Sequence, residues 1–187
     1  MYLRLTPEKE FLAQEEKRID RYLERFENID HPHTGKVRDM ATRLLAEERE
    51  MAAGSPELLV QGHGDYHPKN VIIGQDSLED RATMFVAAID FASSLTLPPA
   101  FDVGCFLAQF RNQLFPYPEI LSGLPDDIFL QAYEDEVGGV AEGFYRQVEI
   151  FRARTNLSIA AYLIKVGMGD SPDLWRVLVE AEQLLTA

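Results

Sequence analysis

With 187 residues, 46% of them apolar and 10% aromatic, the chain has the material for a sizeable core, which excludes a globally disordered polypeptide. Thirty-one Asp and Glu against eighteen Lys and Arg leave a formal charge of -13, a field that repels nucleic acid and anionic lipid and suits a neutral or cationic small partner. The single cysteine, Cys105, excludes an internal disulfide and reads as a buried thiol within the apolar run from Phe101 to Phe110.

Thr6, Pro7 and the acids that follow form a helix start, and Leu12, Ile19, Leu23 and Phe26 share one face, so a helix is predicted over residues 7–28. Asp30, His31, Pro32, His33 and Gly35 then break the pattern. His31 and His33 are spaced like ligands on a strand, but no Cys, third His or acid cluster completes a metal set, and they read as loop residues. Val37, Met40, Ala41, Leu44 and Leu45 repeat at three and four, predicting a second amphipathic helix to about Ala53, stopped by Gly54, Ser55 and Pro56.

Three strand-like runs come next, LLVQGH, VIIG and MFVAAID, with the polar GQDSLEDRA as a hairpin tip between the second and third. From Pro99 the spacing is helical again. It predicts helices over 101–112, 126–137 and 140–166, a proline-rich turn at FPYP, and a last helix carrying Leu174, Val177, Leu178, Ala181 and Leu185. Trp175, Tyr145 and Tyr162 lie at helical spacing and are expected in the core. The expected fold is mainly α with a small β-hairpin element, an α+β class. It forms a single domain over 1–187, helical in 1–56, with loops and short strands in 57–98, and helical in 99–187. No stretch approaches the roughly 18 consecutive apolar residues of a membrane helix, and the first residues lack the apolar centre of an export signal, so a cytoplasmic protein without membrane partners is expected.

Chemistry concentrates in residues 63–70, HGDYHPKN, and in Asp90, twenty positions after Asn70. A carboxylate able to take a proton from an alcohol, Asp65, stands five residues before an amide oxygen able to ligate magnesium, Asn70, and a second carboxylate, Asp90, follows to hold the ion against phosphates. Each residue alone reads as an ordinary turn or cap. Their joint order points to phosphoryl transfer from ATP or GTP, with Mg2+, to a small-molecule hydroxyl substrate. Two other readings stand beside this one: a catalytically silent lobe acting as a binding or interaction module, and a metallohydrolase using His63, Asp65 and His67 as ligands. The acids Asp126, Asp127, Glu134, Asp135 and Glu136 read as a solvated face.

The segments HGDYHPKNVII, AAIDFASS and PAFDVGCFLAQF, spanning about residues 60–110, resemble the catalytic and metal-binding segments of the aminoglycoside phosphotransferase and choline kinase family, within the protein-kinase-like fold. The resemblance implies Asp65 and His67 as catalytic residues, the first as base and the second beside the transferred phosphoryl group. It implies Asn70 and Asp90 as magnesium and cofactor ligands. It also implies Asp102 as an acid bracing the catalytic loop through its backbone, and His63 and Phe91 as packing residues. Ala92 departs from the glycine common there. Residues 1–62 show no alternating strand pattern and only Gly35, Gly54 and Gly62, so the chain is expected to correspond to the helical C-terminal lobe, with the N-terminal β lobe missing. The lobe face should then expose apolar residues around the motif, inviting a homo-oligomer or the missing lobe.

Overall fold

The computed structural model describes residues 8–54, 59–77 and 79–186. Among the described residues the fold is mainly helical with two small antiparallel ribbons. Helix α1 (Glu8–Glu27) and helix α2 (Thr34–Gly54) form an antiparallel pair whose apolar faces close on helices α6 (Phe144–Lys165) and α7 (Pro172–Thr186). The cap expected at Thr6 and Pro7 and the stop at Ser55 and Pro56 lie outside the described residues. Between α1 and α2 the histidines pin the turn: the His31 ring reaches the Gly169 carbonyl through Nε2 at 3.1 Å and accepts the His33 amide at Nδ1.

Strand β1 (Val60–Gly62) leads into the HGDYHPKN motif, and strands β2 (Val71–Gln75) and β3 (Met84–Ala88) form the expected hairpin. The first run does not join that hairpin. It pairs instead with strand β4 (Leu95–Leu97), where no strand was expected, with Val60 opposite Leu97 and Gly62 opposite Leu95. Leu95 and Leu97 are buried and alternate with Thr96, yet three residues are too short a stretch for a period of two to stand out in sequence. Their side chains enter a second core cluster with Phe11, Phe101, Leu107, Val148 and Phe151, which fastens the start of the motif to helix α3 (Pro99–Leu114) and to α6.

Helix α4 (Pro118–Gly123) occupies part of what read as a turn, with its proline at the first helical position where no amide partner is needed. Helix α5 spans Asp126–Val137, as expected. Helix α6 begins at Phe144 rather than Val140, because Gly138, Gly139 and Gly143 all take positive φ and hold the chain out of helix. Cys105 is buried on α3, and burial pushes its thiol up to about 12, so it is inert at neutral pH. None of the described helices is long and apolar enough to cross a membrane.

Trp175, Tyr145 and Tyr162 are corrections, since all three lie at the surface. On α7 the buried stripe is Leu174, Val177, Leu178, Ala181 and Leu185, and Trp175 falls outside it. Its ring, 49% exposed, packs on His33 with centroids 4.9 Å apart and takes the Lys36 ammonium at 5.0 Å. Asp126 corrects the solvated acidic face. It receives Arg111 Nε at 2.9 Å and Arg152 at 3.0 Å, tying α5 to α3 and α6.

Candidate active site

The motif loop is held from beneath by one carboxylate. Asp102, in the first turn of α3, accepts the backbone N–H of His63 at 2.6 Å and of Gly64 at 2.9 Å, one on each oxygen. Burial raises its pKa, while these two N–H donors pull the other way. This is the brace expected of Asp102. Replacing it with Asn would keep one acceptor and turn a donor against the second N–H. A loss of about 1–3 kcal/mol of unfolding free energy with retained helix content is therefore expected, measured by urea titration of circular dichroism.

Gly64 sits at φ 77, and a Cβ there would come within 2.1 Å of the Ser93 carbonyl oxygen. Only glycine lets the loop turn this close to the β3–β4 connection. Gly64→Ala should cost about 3 kcal/mol or more in chemical unfolding, from left-handed strain and the backbone clash together. Ser94, which the sequence reading passed over, closes the same junction: its hydroxyl donates to the Gly62 carbonyl and accepts Gln61 Nε2 at 2.7 Å.

His63 is a packing residue, as expected. Its Nε2 donates to the Ile89 carbonyl at 2.8 Å, its Nδ1 faces the Asp65 amide at 3.4 Å, and its ring lies 4.6 Å from that of Phe91. With both ring nitrogens turned to backbone groups, His63 has none left for an ion shared with Asp65 and His67, which removes the basis of the metallohydrolase reading.

The structure joins Asp65, Asn70 and Asp90 through the backbone. Asn70 ends a 3₁₀ turn (Pro68–Asn70) in which Pro68 is the first residue, and it is buried. Its Nδ2 donates to the Asp65 carbonyl at 3.0 Å, which turns the amide oxygen away from that contact. Its own carbonyl accepts the Ile89 N–H at 2.9 Å, one step beyond the Val71–Ala88 pair of the hairpin. Asn70 therefore stands beside Ile89, and Asp90 follows at once.

Asp90 adopts φ 64 and ψ 60, a left-handed conformation that costs a non-glycine residue about 1–3 kcal/mol and collects at functional sites. It precedes a 3₁₀ turn, Phe91–Ser93, yet its carboxylate caps none of that turn's amides. Both Asp65 and Asp90 are exposed. His67 Nε2 lies 3.7 Å from Asp65 Oδ2, close enough for an ion pair when the ring is protonated. Asp65 and Asp90 thus offer exposed carboxylates and Asn70 a side-chain oxygen, hard donors of the kinds that a divalent cation and a proton-accepting base call for.

The model of the phosphotransferase enzyme family matches residues 4–147. The chain belongs to this family. No curated protein and no solved structure gave a significant match.

The match runs from α1 through the start of α6, so the helical pair ahead of the motif is part of the shared sequence pattern. Around the motif the chain presents apolar side chains to solvent. Ile73 and Val86, opposite each other in the hairpin, are each 68% exposed, and Ile72, Met84, Phe85, Ile89 and Phe91 are exposed as well. These residues form an exposed apolar surround to the motif. On the other side Tyr66 stacks on Phe106 at 5.3 Å, and Phe106 on Phe129 at 4.8 Å, a packing chain between the loop, α3 and α5 that no sequence period marks.

Proposed function

We propose that this chain carries the acceptor-activating and metal-binding residues of a cytoplasmic, magnesium-dependent phosphotransferase. It would move the γ-phosphoryl group of ATP or GTP to a hydroxyl of a small molecule. The observation that carries the reading is the junction at Asn70, whose side chain bonds the Asp65 backbone while its carbonyl bonds Ile89, next to Asp90.

Asp65 is the residue that orients the acceptor hydroxyl and takes its proton as the new bond to phosphorus forms. His67, 3.7 Å from that carboxylate, is the side chain that balances negative charge near the transferred group. Asn70 and Asp90 would hold Mg2+ through the amide oxygen and the uncapped carboxylate. The ion would neutralise phosphate charge. Asp102 and His63 act through the backbone, keeping Asp65 in register with Asn70 and Asp90. Residues 1–187 are taken as one domain that corresponds to the helical lobe of a protein-kinase-like fold.

The test is titration of ATP and of GTP into the full chain with and without Mg2+, followed by transfer of labelled γ-phosphate to a panel of small alcohols. Magnesium-dependent binding and transfer to at least one hydroxyl are expected. Nucleotide binding indifferent to Mg2+ would refute the reading.

The exposed apolar hairpin favours a second reading, in which the chain is a binding module whose face meets a second copy or a further protein layer. Sedimentation at high concentration should then show self-association, and a clean monomer would count against it.

A further inference from the structure

The most unusual buried group lies away from the motif. Glu48, on α2, is 1% exposed, and neither of its carboxylate oxygens meets a hydrogen-bond donor among the described residues. Beside it, Glu15 of α1 is fully buried and receives Arg154 of α6 twice, Nε at 2.7 Å and a terminal nitrogen at 3.0 Å, with Arg18 of α1 adding a further contact. The one buried guanidinium among the described residues is thus committed to Glu15. Burying a second, bare carboxylate in its charged form would cost many kcal/mol, and such groups keep a proton instead.

We propose that Glu48 is a proton-operated latch: in the folded protein it holds a proton, and loss of that proton loosens α2 from α1 and α6.

The charged groups acting on Glu48 are Glu15 and Arg18 of α1, Arg154 of α6 and Arg49 of its own helix. Burial is the largest influence and raises its pKa well above the ordinary value, the Glu15 charge adds to it, and the three arginines offset only part. Burial alone would pull the Arg154 pKa down, but the Glu15 charge and the hydrogen bonding to Glu15 hold it raised, so the guanidinium stays ionised and paired. A group whose folded pKa lies above its unfolded value near 4.5 adds stability that is fully present below that value and is lost as pH rises through the folded pKa. The latch therefore opens on the alkaline side.

Its position gives the opening a route to the motif. Arg154 lies over the Phe101 ring at 5.0 Å, and Phe101 is the neighbour of Asp102, which holds the His63 and Gly64 amides. Phe11, one turn before Glu15, packs edge-on against the same ring at 5.9 Å. The latch itself does not depend on the phosphoryl-transfer reading.

Urea unfolding of the full chain from about pH 5 to about pH 9 tests the inference, comparing the natural protein with Glu48→Gln. The unfolding constant of the natural protein should climb with pH relative to the variant, the gap widening by up to about tenfold per pH unit between the unfolded and folded pKa of Glu48 and levelling off above the latter. Parallel profiles would overturn the proposal. The slope is the readout, so a variant that is merely less stable does not obscure it. Should Glu48→Gln fail to fold, hydrogen exchange of the natural protein decides. After correction for intrinsic rates, the amides of α2 around Glu48 should open increasingly with pH relative to the centre of α7, and a pH-independent ratio would reject the latch.

Discussion

Asp65→Asn is expected to lower turnover by about 10²- to 10⁴-fold while leaving the affinity for magnesium nucleotide nearly unchanged. The substitution removes the proton acceptor but keeps the side-chain volume. It also keeps the Asp65 carbonyl, which is the atom that Asn70 Nδ2 contacts, so the loop should hold its shape. Because Asp65 faces solvent and takes no part in the Asp102 brace, stability should change little. The check is steady-state kinetics with ATP or GTP and the acceptor found in the transfer screen, alongside a melting curve. Full turnover in Asp65→Asn would remove this residue from the chemistry. Unchanged stability with a raised KM and normal kcat would make it a binding residue instead.

Asp90→Asn should act on the other partner. Loss of the anionic ligand is expected to weaken magnesium-dependent nucleotide binding on the order of 10²- to 10³-fold, several kcal/mol of charge neutralisation. The same change should leave the fold intact or stabilise it slightly, since Asn tolerates the left-handed backbone at least as well as Asp. Opposite signs for binding and stability would identify the strain at Asp90 as serving the ion. Calorimetric titration of Mg-nucleotide into both proteins, paired with urea unfolding, gives the two numbers. Equal nucleotide affinity in the variant would take Asp90 out of the metal site.

Much of this molecule is legible in short stretches of the chain. The spacing of Leu12, Ile19 and Phe26, or of Leu174, Val177 and Ala181, reports a helix face because side chains three or four apart share one stripe. VIIG and MFVAAID around a polar tip report a hairpin for a similar local reason. Trp175, Tyr145 and Tyr162 went the other way: spacing says that aromatic residues lie on a helix, but the stripe that becomes buried depends on which neighbours arrive. Likewise Asp126 looks like any surface acid until Arg111 and Arg152 are brought to it from α3 and α6.

For the candidate site, the kinds of chemical group and their order are properties of the chain alone. Asp65, Asn70 and Asp90 supply base and hard-oxygen donors wherever they end up, since donor chemistry belongs to the side chain. The hydrogen-bonded linkage between their segments is a property of the fold. It needs Ile89 paired to Asn70 at the hairpin mouth, β1 fastened to β4, and Asp102 reaching back 39 residues to His63. Such links depend on distant segments that close together only once Leu95, Leu97 and Phe101 are buried, and no local propensity encodes that closure.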